Sequence, residues 1–142
     1  MTSITRQDVR PLVLIIDDEP DHAEIVATLL ERRGFLAATA PDGRYGVELA
    51  GRLKPDVVLL DVRMPAVDGY ATARELRRNA VTAKVPIVFL SAGGEFTPPD
   101  DDCGYLSKPF RAADLFRAVE EALRGAASAA ADVAAAGGAA GD

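Results

Sequence analysis

Residues 12–19 read Leu-Val-Leu-Ile-Ile-Asp-Asp-Glu, an unbroken apolar run that ends in three carboxylates. A continuous apolar run of this length is typical of a strand that is covered on both faces. Two similar runs follow, VVLL at 57–60 and IVFL at 87–90. Apolar residues recur at helical spacing between these runs. Alternating strands and helices with apolar strands predict a parallel sheet that has helices on both faces.

Weaker signals complete this α/β pattern. Residues 35–40 are predicted as a second strand and Tyr105-Leu106 as a brief last one, which gives five strands. Gly34 is expected to end the first helix, and Lys54-Pro55 the second. A third helix is predicted after Gly69, and a final amphipathic helix contains Leu115, Phe116, Val119 and Leu123.

Composition narrows the function classes. The chain has 142 residues, a size that fits one domain. Its net charge of −6 argues against nonspecific binding to DNA or to anionic membranes, which requires a basic surface. One cysteine and one histidine cannot form an intrachain disulfide or a typical zinc site. With no apolar run of membrane-spanning length and no signal-peptide pattern, we expect a cytoplasmic protein.

Two changes in composition suggest the domain organisation. Residues 1–11 are polar and aperiodic, and we interpret them as a flexible leader. Residues 12–124 form the predicted domain. Residues 125–142 contain 10 Ala and 4 Gly, and we expect this tail to be disordered or a frayed helix.

Polar residues follow the predicted strands at the sheet edge where such folds bind ligands. They are Asp17-Asp18-Glu19, Asp61, Ser91 and Lys108. Each of them has a simpler explanation when it is taken alone: a helix cap, a solvated turn or a surface lysine. Their joint occurrence at one edge predicts a functional site.

The chemistry of these residues favours phosphoryl transfer. Clustered carboxylates repel one another, and hard oxygen ligands favour Mg²⁺ over zinc. A lysine and a hydroxyl would balance and bind the oxygens of a transferred phosphoryl group. The free carboxylate at the centre of the sheet, Asp61, is the candidate acceptor.

The sequence over residues 12–124 resembles the receiver domain of bacterial two-component response regulators, in particular the stand-alone, chemotaxis-regulator-like type. The motifs are Asp17-Asp18, the segment 61–65 (Asp-Val-Arg-Met-Pro) with Asp68-Gly69, Ser91-Ala92, and the segment 105–110 (Tyr-Leu-Ser-Lys-Pro-Phe). The resemblance implies a flavodoxin-like fold with strand order 2-1-3-4-5.

The resemblance also implies a role for each site residue. Asp61 would accept a phosphoryl group from a sensor histidine kinase or a histidine phosphotransfer protein. Mg²⁺ would bind to Asp17, Asp18, Asp61 and the backbone carbonyl of Arg63. The other implied roles are phosphoryl contacts from Lys108, Ser91 and the backbone of Ala92, a switch formed by Ser91 and Tyr105, and a cis bond between Lys108 and Pro109.

The stretch between the fourth and fifth strands departs from the family pattern. Residues 93–102 contain Gly93-Gly94 and Pro98-Pro99, which oppose a helix. We therefore expect the fourth helix of the family to be shortened or missing. The usual output surface, which includes that helix, is correspondingly in doubt.

Two further residues have no predicted part in the site. His22 lies early in the first predicted helix and is interpreted as a solvated helix residue. Cys103 precedes a strand and is interpreted as a small packing residue.

The function predicted by the sequence is a phosphorylation-controlled signalling switch that acts through contact with a downstream protein. It would catalyse its own phosphorylation and slow dephosphorylation, and is not otherwise an enzyme. The alternatives are a phosphohydrolase of the haloacid-dehalogenase kind and a degenerate receiver that binds partners without phosphate. The phosphohydrolase needs a second acid two residues after its nucleophile, where this sequence has Arg63. A flavodoxin-like FMN carrier has the same fold, but it would need a phosphate-binding loop in place of Asp17-Asp18-Glu19.

Overall fold

The computed structural model describes residues 10–62, 69–91 and 103–140, with side chains to residue 126. This part of the chain contains five strands and four helices. Their order is β1 (Leu12–Ile16), α1 (Pro20–Arg33), β2 (Leu36–Ala40), α2 (Gly43–Leu53), β3 (Val57–Asp61), α3 (Gly69–Arg78), β4 (Ile87–Ser91), β5 (Cys103–Ser107) and α4 (Ala112–Ala140).

The five strands form one parallel sheet in the order β2-β1-β3-β4-β5, which confirms the predicted fold. The register pairs Asp61 with Leu90, and Ser91 with Ser107. All strands therefore end at the same edge, and the polar residues that follow them are brought together there.

Helices cover both faces of the sheet because alternate strand residues point to opposite sides. Leu14 and Ile16 belong to a core cluster with residues of α2 and α3, whereas Val13 and Ile15 pack with residues of α1 and α4. All four of these β1 side chains have zero exposure. This two-sided burial explains why the strand sequences are continuously apolar.

Local signals fix the ends of the helices. Gly34 follows α1 with φ 107°, a left-handed conformation that glycine adopts without steric cost. Lys54 ends α2 in a similar conformation with φ 52°, directly before Pro55. At the start of α2, Asp42 accepts a hydrogen bond from the Tyr45 N–H at 2.8 Å.

Glycine lets α2 pack closely on the sheet. A Cβ added at Gly46 would lie 2.5 Å from Cδ1 and 2.8 Å from Cγ1 of Ile16. Ile16 is fully buried and directly precedes Asp17. The close approach of α2 therefore helps to hold the strand end that carries the first acidic residue of the site.

The last helix extends past the predicted domain boundary at residue 124. It spans 29 residues from Ala112 to Ala140 and includes most of the Ala/Gly-rich segment. Alanine has the highest helix propensity, which offsets the unfavourable effect of the glycines.

Some of the sequence predictions fall outside the described residues. These are the flexible leader, except for Arg10 and Pro11, and the shortened or missing helix at residues 93–102. Within the part that is described, none of the helices is long and apolar enough to span a membrane.

Candidate phosphoacceptor and metal site

Asp61 is the last residue of β3, the central strand of the sheet, and its side chain is 4% exposed. The ammonium group of Lys108 lies 3.2 Å from Asp61 Oδ2. The Lys108 N–H donates a hydrogen bond to the Ser91 carbonyl at 2.6 Å. This bond holds the backbone of Lys108 next to the end of β4. The structure thus brings the predicted acceptor and the predicted phosphate-binding lysine into direct contact.

The backbone around Asp61 is also tightly packed. The Val62 N–H donates to the Leu90 carbonyl at 3.0 Å and so extends the pairing of β3 with β4. A Cβ added at Gly69 would lie 2.9 Å from the Asp61 carbonyl oxygen and from the Val62 Cα. Glycine at the start of α3 therefore permits this helix to lie against the backbone of Asp61.

Asp17 is a second buried acid of the site. Its N–H donates to the Ala40 carbonyl at 3.0 Å, which continues the pairing of β1 with β2. Its Oδ1 accepts a hydrogen bond from the Glu19 N–H at 2.9 Å. Pro20, the first residue of α1, lacks an N–H. The Glu19 N–H is therefore the last backbone donor before the helix, and Asp17 satisfies it.

The interpretation of His22 as a solvated helix residue was wrong. Its Nδ1 lies 2.5 Å from Asp17 Oδ2, and its side chain is 27% exposed. His22 lies in the first turn of α1 and contacts Asp17, which is five positions earlier and directly follows β1. The sequence gives only a weak signal for this contact, because the spacing of apolar residues does not show which groups the first turn of a helix contacts.

Three carboxylates lie close together at this edge. Asp17, Glu19 and Asp61 each present an oxygen, and these oxygens all lie within 4.8 Å of one another. Asp17 and Asp61 are buried, and Glu19 is exposed. Asp18 is half-buried and does not belong to this group, whereas Glu19 was not among the metal ligands predicted from the sequence.

This donor set fits a hard divalent cation. The oxygens are carboxylates, which Mg²⁺ prefers, and their separation leaves room for an ion between them. Lys108 offsets part of their mutual repulsion, since it pairs with Asp61. One open, exposed side at Glu19 would leave positions for water and for phosphate oxygens.

The two predicted switch residues occupy neighbouring strands. Ser91, at the end of β4, is 6% exposed, and Tyr105, in β5, is 38% exposed. The Lys108–Pro109 peptide bond is cis, the isomer that the resemblance predicts. The Arg63 carbonyl and the Ala92 backbone, which were also predicted to belong to the site, lie outside the described residues.

The fold and this arrangement of acids and lysine are consistent with a receiver domain of phosphoaspartate signalling. Residues 13–120 match the response regulator receiver domain family, and the chain belongs to that family. Its members act in two-component signalling and are typically not true enzymes.

Curated relatives include both longer and similar-sized proteins. The chain is 38% identical over 121 residues to the DNA-binding dual master transcriptional regulator RpaA of Synechocystis; the match covers 80% of the chain and 49% of that protein. It is 32% identical over 120 residues to the protein PilH of Pseudomonas aeruginosa, covering 80% of the chain and 98% of PilH. The chain spans about half the length or less of the first curated relatives that it matches.

Solved structures show the same fold. The chemotaxis protein CheY4 of Vibrio cholerae superposes with a TM-score of 0.73 and 27% identity, covering 81% of the chain and 100% of CheY4. The receiver domain of a sensor histidine kinase from Pseudomonas aeruginosa superposes with a TM-score of 0.71 and 28% identity, covering 81% of the chain and 98% of that domain. That structure holds a magnesium ion coordinated in its active-site cleft.

Proposed function

We propose that this protein is a phosphorylation-controlled signalling switch whose acceptor is Asp61. The observation that carries the proposal is the position of Asp61 at the end of the central strand, 3.2 Å from Lys108 and next to the carboxylate of Asp17. The donor would be a phosphohistidine of a sensor histidine kinase or of a histidine phosphotransfer protein. Membership of the receiver family supports this choice.

In the proposed reaction, a carboxylate oxygen of Asp61 attacks the phosphorus atom. A phosphorus–oxygen bond forms while the bond between phosphorus and the histidine nitrogen of the donor breaks, and the nitrogen keeps the electron pair. Lys108 moves from its pairing with the carboxylate to the phosphoryl oxygens, where it balances their charge. Hydrolysis by water later restores the carboxylate and releases phosphate.

Mg²⁺ would supply the remaining positive charge when it is bound. We propose that Asp17, Asp18, Asp61 and the backbone carbonyl of Arg63 hold it. Glu19 is a further candidate, since its carboxylate lies with those of Asp17 and Asp61. The magnesium ion in the related receiver domain supports the choice of metal.

Output would begin at Ser91 and Tyr105. The hydroxyl of Ser91 and the backbone of Ala92 would bind phosphoryl oxygens, and the Tyr105 ring would move inward from its present exposed position. This movement would change the surface that a downstream protein contacts. We propose a cytoplasmic protein that acts through protein contact and not through direct binding to nucleic acid or insertion into membrane, consistent with its net charge of −6.

Phosphorylation by a small-molecule donor tests this function. Wild-type protein incubated with acetyl phosphate and Mg²⁺ should gain one phosphoryl group by intact-mass spectrometry, and alkaline hydroxylamine should remove it. Asp61→Asn is the matched variant and should gain none. Equal labelling of both proteins would contradict the assignment of Asp61, and no labelling of either would favour a degenerate receiver.

A further inference from the structure

His22 connects two parts of the site that come from distant regions of the chain. On one side its Nδ1 meets Asp17 Oδ2 at 2.5 Å. On the other side its ring lies edge-on to the ring of Phe110, with centroids 6.1 Å apart and planes at 65°. Phe110 follows Lys108 by two residues. His22 therefore spans from the acid at the end of β1 to the turn that carries the phosphate-binding lysine.

The contact with Asp17 is a hydrogen bond with a defined donor. An ionised carboxylate only accepts, so the hydrogen lies on Nδ1 of the imidazole. The other oxygen of Asp17 already accepts the Glu19 N–H. The Asp17 side chain has zero exposure, so bulk water does not contact Oδ2 while His22 is in place.

The bond also acts against a repulsive force. The oxygens of Glu19 and Asp61 lie within 4.8 Å of an oxygen of Asp17, and like charges at this separation favour rotation of the carboxylates away from one another. A donor on each oxygen holds the Asp17 carboxylate in one orientation before any cation arrives. The ring contact with Phe110 restricts His22 in turn.

We infer that His22 is a positioning residue for metal binding, which orients the Asp17 carboxylate toward Mg²⁺ and is itself held by Phe110. The inference rests on the proposed function, since it concerns the same metal site. Partners of this kind, which hold a metal ligand without touching the metal, commonly change metal affinity by about 10- to 100-fold. Their effect comes from orientation and does not require a change in net charge.

Two substitutions at His22 separate the hydrogen bond from the packing. His22→Phe keeps a ring against Phe110 and removes the donor. His22→Asn places an amide nitrogen where Nδ1 stands and keeps a donor to Asp17. The readout is the Mg²⁺ dissociation constant, measured by isothermal titration calorimetry at pH 8.0, with the melting temperature in EDTA as a test of folding.

We expect His22→Phe to raise the Mg²⁺ dissociation constant about tenfold, and His22→Asn to stay within about threefold of wild type. Ile25→Asn, an exposed substitution in the same helix, should leave the constant unchanged. If His22→Phe does not fold, His22→Leu answers the same question. A constant that is unchanged or lower in the folded donor-free variant, or a His22→Asn variant as weak as that variant, would overturn the inference.

The same titration tells this inference apart from the proposed function. A wild-type protein that neither binds Mg²⁺ nor takes up a phosphoryl group would refute the proposed function itself. A wild type that does both, combined with unaltered binding in His22→Phe, would refute only the role of His22.

Discussion

The Nζ atom of Lys108 lies 3.2 Å from Oδ2 of Asp61, although the two residues are 47 positions apart in the chain. The lysine side chain is 17% exposed and the aspartate 4%, so water screens this ion pair only partly. In this structure Lys108 is therefore positioned by the proposed acceptor itself.

Replacement of this lysine should separate metal binding from phosphoryl transfer. Lys108→Met should slow labelling by acetyl phosphate on the order of 10²-fold, because the charge of the transferred group loses its partner. The same change should tighten Mg²⁺ binding, since it removes a cation from beside the acidic cluster. Lys84→Met, which removes an exposed lysine, is the control. Weaker Mg²⁺ binding in Lys108→Met would show that the lysine supports the metal site instead of opposing it.

The two carboxylates that follow Asp17 should differ in their importance for the metal. Asp18→Asn is expected to weaken Mg²⁺ binding more than Glu19→Gln, because the longer, exposed Glu19 side chain would lose more conformational freedom on binding. Both variants remove one negative charge, so the difference between them reports ligand identity. Calorimetric titration of the two proteins measures it, and a larger loss in Glu19→Gln would assign the direct ligand to Glu19.

Magnesium should stabilise the wild-type fold, because a bound cation relieves the repulsion within the cluster. At 100 times its dissociation constant, a ligand that binds only the native state adds about 2.7 kcal/mol to the free energy of unfolding. Asp17→Asn should show a smaller rise in melting temperature with Mg²⁺. A wild type whose melting temperature does not change in excess Mg²⁺ would contradict the assignment of a metal site.

Ser91 and Tyr105 should respond together to phosphorylation. With fluorotyrosine in place of the three tyrosines, the Tyr105 resonance should shift when beryllofluoride and Mg²⁺ are added to the wild type. Ser91→Ala should largely abolish the shift, because without the hydroxyl the space beside the ring no longer depends on the phosphoryl group. Ser107→Ala changes the residue paired with Ser91 on β5 and serves as the control. A full shift in Ser91→Ala would refute the coupling.

Two glycines of α2 offer a matched test of packing. Gly46→Ala should destabilise the fold by about 1–3 kcal/mol, because the new methyl group would overlap Ile16 in the core. Gly51→Ala should stabilise it by roughly 0.5–1 kcal/mol, since its nearest neighbour, Nδ2 of Asn79, is 4.0 Å away and alanine favours the helix. Urea unfolding of both variants measures the two values. Equal effects would show that α2 shifts to accept the methyl group.

Much of the fold followed from local sequence patterns. The apolar run at 12–16 coincides with β1, and the runs at 57–60 and 87–90 lie within β3 and β4, because buried parallel strands require apolar residues on both faces. The weaker strand at 35–40 corresponds to β2, which lies at the edge of the sheet. Gly34 ends α1 as expected, since the left-handed conformation there favours glycine.

Sequence patterns located only part of the candidate site. Strand ends located Asp17, Asp61 and Ser91 because parallel strands share one edge. The contact between His22 and Asp17 depends on the direction in which α1 leaves the sheet, which the period of apolar residues does not encode. The extension of α4 to Ala140 was likewise uncertain, because alanine and glycine have opposite helix propensities in that segment.

The contact of Gly69 with the Asp61 backbone makes the site mechanically asymmetric. On the α3 side, a Cβ at Gly69 would lie 2.9 Å from the Asp61 carbonyl oxygen, so the start of the helix is already packed closely against this residue. On the other side, β5 is an edge strand held by β4 alone among the described strands. Strain from a new phosphoryl group would therefore be relieved toward β5. Spectroscopic labels placed on α3 should be nearly silent to the state of Asp61, whereas labels on β5 should report it.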